Sequence, residues 1–131
     1  MADTAISSSK SACCSGKAPR LLFGCAGAAD TGEIADRASR KLARAGIGRL
    51  FCLAGIGGRV PFIMDNMQAA GEIWAIDGCP EDCARHTLER AGFTVTRHLR
   101  VTDCGLEKGK SPASEDNIEK VVAKAQAPVA C

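Results

Sequence analysis

Aromatic residues are scarce in this chain, which contains four Phe, one Trp and no Tyr. Proteins that bind single-stranded nucleic acid stack its bases on aromatic side chains, so the composition argues against that function. An excess of one charge is also missing, because 17 basic residues are nearly balanced by 15 acidic ones. This balance predicts neither a nucleic-acid partner nor a membrane surface as a partner.

Long hydrophobic runs are absent as well. No stretch approaches the roughly 18 uninterrupted apolar residues of a membrane-spanning helix, and the amino-terminal segment lacks the apolar core of a secretory signal peptide. We therefore expect a cytoplasmic protein. Cysteine, in contrast, is abundant, with eight copies. In a reducing compartment such cysteines more often bind metal or act in catalysis than form disulfides.

The chain divides into a short polar segment and one domain. Residues 1–19 are rich in Ser, Ala, Gly and Lys and lack hydrophobic periodicity, which predicts a flexible N-terminal tail. Residues 20–127 repeat an apolar run, a glycine-containing turn and a helical pattern. This alternation predicts right-handed crossovers and a mostly parallel sheet of about four strands. We expect a single-domain, three-layer α/β fold with strand order 2-1-3-4 and helices on both faces of the sheet.

Local signals predict where the elements begin and end. The apolar runs that predict strands lie in 21–27, 49–58, 72–79 and 93–103, and the helical patterns begin near Asp30, Val60, Pro80 and Ser114. Asp30 and Glu33 have the spacing of a capping box at the start of the first helix. The glycine-rich segment 54–58 is interpreted as a tight turn between a strand and a helix.

Cysteines occur where the predicted strands end. Cys25, Cys52 and Cys79 each close an apolar run, and Cys83 falls in the first turn of the helix that follows. Carboxyl ends of parallel strands meet at one edge of the sheet, where open α/β folds bind ligands. Tetrahedral zinc holds thiolate sulfurs about 3.8 Å apart, a spacing that neighbouring strand ends about 4.8 Å apart can approach. The alternative is that Cys25 and Cys52 are small buried apolar residues.

Four segments carry a further signal, namely GCAGAADTGEIADRA, FCLAGIGG, AIDGCPEDCA and VTDCGLEKGK. Together they resemble the DGC-domain family, named for its Asp-Gly-Cys motif, over about residues 21–110. The resemblance implies a zinc-binding protein of undefined biochemical role. It also implies four cysteine ligands, which match Cys25, Cys52, Cys79 and Cys83.

Two other chemistries remain open from the residues alone. A thiol or redox enzyme could act through Cys79 and Cys83, and four cysteines can also hold an iron–sulfur cluster. Asp77 is interpreted as a turn residue whose carboxylate accepts hydrogen bonds from backbone N–H groups. His98 is predicted to face solvent. Whether the protein is an enzyme is not decided by these patterns, and the Cys13–Cys14 pair and Cys104 fall outside the four-cysteine set.

Overall fold

The computed structural model describes residues 18–128. Four strands alternate with helices: β1 (Arg20–Gly24), α1 (Asp30–Arg44), β2 (Arg49–Leu50), α2 (Leu53–Gly57), α3 (Pro61–Asn66), β3 (Glu72–Asp77), α4 (Cys83–Arg90), β4 (Arg97–Arg100) and α5 (Glu115–Gln126). Two short 3₁₀ helices, Met67–Ala69 and Val101–Cys104, follow α3 and β4. Among the described residues, no helix is long and apolar enough to cross a membrane.

All four strands run parallel, in the order β2-β1-β3-β4. The central strand β1 pairs with β3 over its full length, with Leu21 opposite Ile73. The predicted order 2-1-3-4 is therefore confirmed. The point at which the strand order reverses lies between β1 and β3, and the carboxyl ends of these two strands form the edge where a ligand is expected.

Helices cover both faces of the sheet, which confirms the predicted three-layer α/β fold. On one face, side chains of the sheet pack against α1 and α5, and the buried cluster includes Leu22, Trp74, Ile76, Leu99, Ile34, Leu42, Ile118 and Val121. On the other face, the buried cluster includes Leu21, Phe23, Ile73, Ala75, Ile56, Met67 and Leu88, from β1, β3, α2, α4 and the 3₁₀ helix after α3. The two central strands, β1 and β3, thus alternate their side chains between two apolar layers.

The ends of the long helices show which local predictions are correct. The Ser114 side chain accepts a hydrogen bond from the Asn117 N–H and caps α5, as predicted. The predicted capping box at α1 is wrong, since the N-cap is Ala29 without a side-chain bond. The Asp30 carboxylate instead accepts hydrogen bonds from the backbone N–H groups of Thr31, Gly109 and Ser111. Asp30 therefore fastens the loop before α5 to the start of α1.

Three predicted boundaries are corrected by the structure. Segment 54–58 is largely helical rather than a turn, because α2 occupies Leu53–Gly57. The helix predicted from Pro80 begins at Cys83, because Asp82 adopts a left-handed conformation with φ of 53° that a helix cannot include. The fourth strand is confined to Arg97–Arg100 and passes directly into a 3₁₀ helix. The predicted tail lies outside the described residues except for Ala18 and Pro19.

Candidate metal centre

The four predicted ligands all follow strand ends at the carboxyl edge of the sheet. The Cys25 N–H donates to the Ile76 oxygen at 2.9 Å, so the pairing of β1 with β3 continues one residue past Gly24. The Phe51 N–H donates to the Leu22 oxygen at 3.0 Å, which keeps the chain beside β1 up to the residue before Cys52. One residue, Gly78, separates β3 from the next predicted ligand, Cys79.

Three of the four cysteines share a cavity. Cys25, Cys79 and Cys83 line a cavity of about 380 Å³ together with Gly27, Gly32 and Lys108. A second cavity of about 340 Å³ lies between α2 and α4, and Cys25 and Cys83 line it as well. The structure thus brings three thiols to the walls of one space at the point where the strand order reverses.

Cys52 is the exception. It is exposed, and it is not among the lining residues of either cavity. Its sulfur accepts a hydrogen bond from the Gly55 N–H at 3.3 Å, which makes Cys52 the N-cap of α2. A thiol in this position substitutes for the Ser, Thr, Asp or Asn side chains that usually cap helices.

The sulfurs are farther apart than they would be around a bound ion. Within residues 18–128, no three cysteine sulfurs all lie within 4.8 Å of one another. Four thiolates around tetrahedral zinc would be about 3.8 Å apart. Ion binding through this set therefore requires the thiols to move toward one another.

Two of the thiols, Cys79 and Cys83, have different charged neighbours. The Lys108 Nζ donates to the Cys79 sulfur at 3.5 Å, which places a positive charge beside that sulfur. Cys83 keeps an exposed surface, yet partial desolvation by the surrounding loops raises the pKa of its thiol. Negative charge on Cys25 and Asp77 raises this pKa further. Both effects favour the protonated thiol over the thiolate.

Asp77 fixes the start of α4 from the end of β3. One of its carboxylate oxygens accepts a hydrogen bond from the Ala84 N–H at 2.6 Å, and the other from the Arg85 N–H at 3.1 Å. The second oxygen also lies 2.9 Å from the Nε2 atom of His98. The Asp77 side chain is only 1% exposed, so protein groups and not solvent supply its hydrogen-bond partners. The predicted bonding of Asp77 to backbone N–H groups is confirmed.

His98 was predicted to face solvent, and this prediction is wrong. Its side chain is 18% exposed and lies against Asp77 and, at 3.4 Å, Asp82. Arg100, two residues further along β4, donates two hydrogen bonds to the Asp82 carboxylate, from Nε at 2.7 Å and from Nη2 at 2.6 Å. The Arg100 guanidinium lowers the pKa of Asp82. The edge strand β4 therefore contacts both ends of segment 77–82, which contains Cys79 and directly precedes Cys83.

Asp77, Asp82 and His98 form the one group of three or more potential ligand atoms, within residues 18–128, that lie within 4.8 Å of one another. Their carboxylate oxygens are already engaged by backbone N–H groups, by His98 and by the Arg100 guanidinium. A cation placed there would lie next to the positive charge of Arg100 and would have to displace these donors. We assign this group to positioning of the cysteine-bearing segment and not to ion binding.

Of the remaining cysteines, Cys104 is the one that the structure describes, and it lies outside both cavities. Cys104 lies on the 3₁₀ helix after β4, where its sulfur contacts the Arg100 carbonyl oxygen at 3.7 Å and burial raises the pKa of its thiol. Cys13, Cys14 and Cys131 lie outside the described residues. The sequence patterns did not identify Lys108 or Arg100 as residues that contact the cysteine-bearing segment. The VTDCGLEKGK segment that contains Lys108 was the available signal, but its contact with Cys79 spans 29 residues.

Known proteins resemble this chain over most of its length. The model of the DGC domain matches residues 21–125, which include all four cysteines of the edge. The chain belongs to the DGC-domain family. One relative of this DGC protein is the "Anaerobic and virulence modulator AnvM" of Pseudomonas aeruginosa, which is 33% identical over 88 residues, or 67% of each chain. No solved structure matches the DGC protein described here.

Proposed function

We propose that this DGC domain binds one zinc ion through the thiolates of Cys25, Cys52, Cys79 and Cys83. The observation that carries the proposal is the cavity whose walls include three of these thiols, at the carboxyl edge between β1 and β3. Thiolates are soft ligands that select zinc over hard ions such as magnesium or calcium. The four thiols are therefore chemically suitable ligands for zinc. Because their sulfurs are too far apart, they must move toward one another when the ion binds.

The raised pKa of Cys83 argues against this residue as a catalytic nucleophile. A nucleophilic cysteine needs a lowered pKa, because the thiolate is the reactive form. A protonated Cys83, in contrast, releases its proton when a cation takes the sulfur, so the affinity for zinc is expected to rise with pH. Cys79 has Lys108 beside it, whose charge offsets part of the negative charge of a zinc ion with four thiolates.

We further propose a cytoplasmic, regulatory role rather than a catalytic one. Four protein thiolates fill a tetrahedron and leave no position for a substrate on the ion. A reducing compartment keeps such thiols available. The name of the AnvM relative describes a modulator, and a change in zinc occupancy is one way in which this chain could perform a modulating task.

Elemental analysis of the anaerobically purified full chain tests the proposal. We expect one zinc ion per chain in the wild type, and a loss of most of it in Cys79→Ser. Cys104→Ser is the matched control, because Cys104 is half-buried like Cys79 but lies outside the cavities. Full zinc occupancy in Cys79→Ser contradicts the assignment. Iron with acid-labile sulfide would instead indicate an iron–sulfur cluster at these cysteines. A metal-free protein with a Cys79–Cys83 disulfide would indicate thiol chemistry.

A further inference from the structure

The hydroxyl of Thr31 is buried and has no hydrogen-bond partner in the protein. Thr31 is 0% exposed, and no protein group within residues 18–128 bonds its Oγ1 atom. A threonine in a helix usually donates its hydroxyl to a carbonyl oxygen three or four residues earlier. Thr31 is the second residue of α1, so those carbonyls belong to the loop before the helix. Because a buried polar group without a partner costs free energy and is rare, this hydroxyl calls for a physical explanation.

The start of α1, where Thr31 lies, packs against the loops that follow β1 and β3. Thr31 is one of the residues that line the cavity shared by three of the thiols. A Cβ atom at Gly78 would lie 2.7 Å from the Thr31 carbonyl carbon and 2.8 Å from its oxygen, so the residue before Cys79 packs directly on Thr31. A Cβ atom at Gly32 would lie 2.8 Å from the oxygen of Gly27, in the loop after β1. The loops that must move when the thiols approach one another are thus the loops that contact this turn of α1.

A thiolate that binds zinc is an acceptor that such a hydroxyl can serve. Hydrogen bonds to an ionised acceptor are stronger than those between neutral groups, and groups that bond to metal ligands contribute to the affinity for the ion. The Cys79 sulfur already has one donor, the Nζ atom of the exposed Lys108, at 3.5 Å. Thr31 supplies a second donor on the buried side of the same loop.

We propose that Thr31 is a positioning residue of the metal centre, and that its hydroxyl donates a hydrogen bond to the Cys79 thiolate when zinc is bound. The proposal rests on the zinc binding proposed above and adds to that site a donor outside the four cysteines. Closure around the ion then gives the buried hydroxyl the partner that it otherwise lacks among the described residues. Part of the affinity for zinc therefore comes from Thr31.

Two substitutions in the full chain separate this role from a role in packing. Thr31→Val should lower the affinity for zinc, measured by competition with a chelating dye, by about 10- to 100-fold, as loss of a partner of a metal ligand usually does. The urea midpoint of the chelator-treated Thr31→Val protein should stay unchanged or rise, because a methyl group replaces an unpaired buried hydroxyl. Thr31→Ser should show the opposite pattern. It keeps the hydroxyl and with it the affinity, whereas loss of a buried methyl group lowers the urea midpoint.

Thr102→Val is the matched control. In the part of the chain that the structure describes, Thr102 has the other buried hydroxyl without a partner, and it lines neither cavity of the cysteine edge. Its substitution should leave the affinity for zinc unchanged. Unchanged affinity in Thr31→Val, or an equal loss in Thr31→Ser, overturns the role of Thr31 and leaves the proposed function standing. Absence of zinc from the wild type, measured by elemental analysis, overturns both proposals.

Discussion

Gly78 gives the sharpest test of how the cysteine edge is built. It joins Asp77 to Cys79, where the end of β3 meets the first turn of α1. A Cβ atom at position 78 would lie 2.7 Å from the Gly32 nitrogen and 2.8 Å from the Thr31 oxygen. Both neighbours are backbone atoms of a helix, which cannot rotate away as the end of a flexible side chain can.

The size of the clash sets the expected effect of Gly78→Ala. Non-bonded carbon atoms prefer separations of about 3.5–4.0 Å, so the end of β3 and the start of α1 must separate by more than about half an ångström. Inserting a methyl group into such a contact costs about 1–3 kcal/mol of the free energy of unfolding. Because the displaced segment carries Cys79, the affinity for zinc should fall as well.

Urea unfolding of the chelator-treated protein measures the free energy of unfolding without a contribution from bound metal. Gly57→Ala is the matched control, because a Cβ atom there would meet only the Cγ2 atom of Thr87, at an ordinary contact distance of 3.7 Å. We expect Gly57→Ala to leave the free energy of unfolding unchanged or to raise it by up to about 1 kcal/mol. Equal effects of the two substitutions would refute the close approach of β3 and α1.

Two further substitutions test the carboxylates that organise the loops. Asp77→Ala should lower the free energy of unfolding by about 2–4 kcal/mol, because two backbone N–H groups of α4 lose their acceptor. The exposed control Asp65→Ala should stay within about 0.5 kcal/mol of the wild type. A loss below about 1 kcal/mol for Asp77→Ala would contradict the role of Asp77 in holding the start of α4. The Gly109 N–H is the largest of the causes that lower the pKa of Asp30 below 3.8. The ionised Asp30 carboxylate therefore stabilises the fold at pH values above the pKa that it has in the unfolded chain. This stabilisation is lost as the pH falls through the lower pKa that it has in the folded state. Urea midpoints measured between about pH 5 and pH 2 should fall more steeply in the wild type than in Asp30→Asn, and parallel profiles would rule this out.

The sheet was predictable because its signals are local or follow from general rules. Apolar runs such as that of β3 are bounded by glycines, and Ser114 marks the start of α5 by its own chemistry. Alternation of strands and helices then restricts the connections to right-handed crossovers, which leads to the order of the four strands. The placement of Cys25, Cys52 and Cys79 at one edge follows from that order.

The errors arise where contacts between distant residues decide the local structure. Asp82 departs from helical geometry while its carboxylate is held by Arg100, 18 residues away, and this contact cannot be read from the PEDC segment. His98 was predicted to be exposed because it lies in an alternating strand beside Arg97 and Arg100, whereas its partner Asp77 belongs to the neighbouring strand. The helix α2 was missed because its glycines disfavour helix and its cap is a cysteine, which capping rules do not include.

The strand order also determines when the thiols can meet during synthesis of the chain. β1, the first strand to be made, lies in the interior of the sheet, and its pairing with β3 joins Leu21 to Ile73. Cys52 follows Cys25 by 27 positions in the chain, and Cys79 follows Cys52 by the same number. Parallel pairings between such distant segments form late, because loop closure precedes the contacts that stabilise them. In the growing chain, Cys25 is therefore an unshielded thiol until β3 has been synthesised and has paired with β1, which half-buries it.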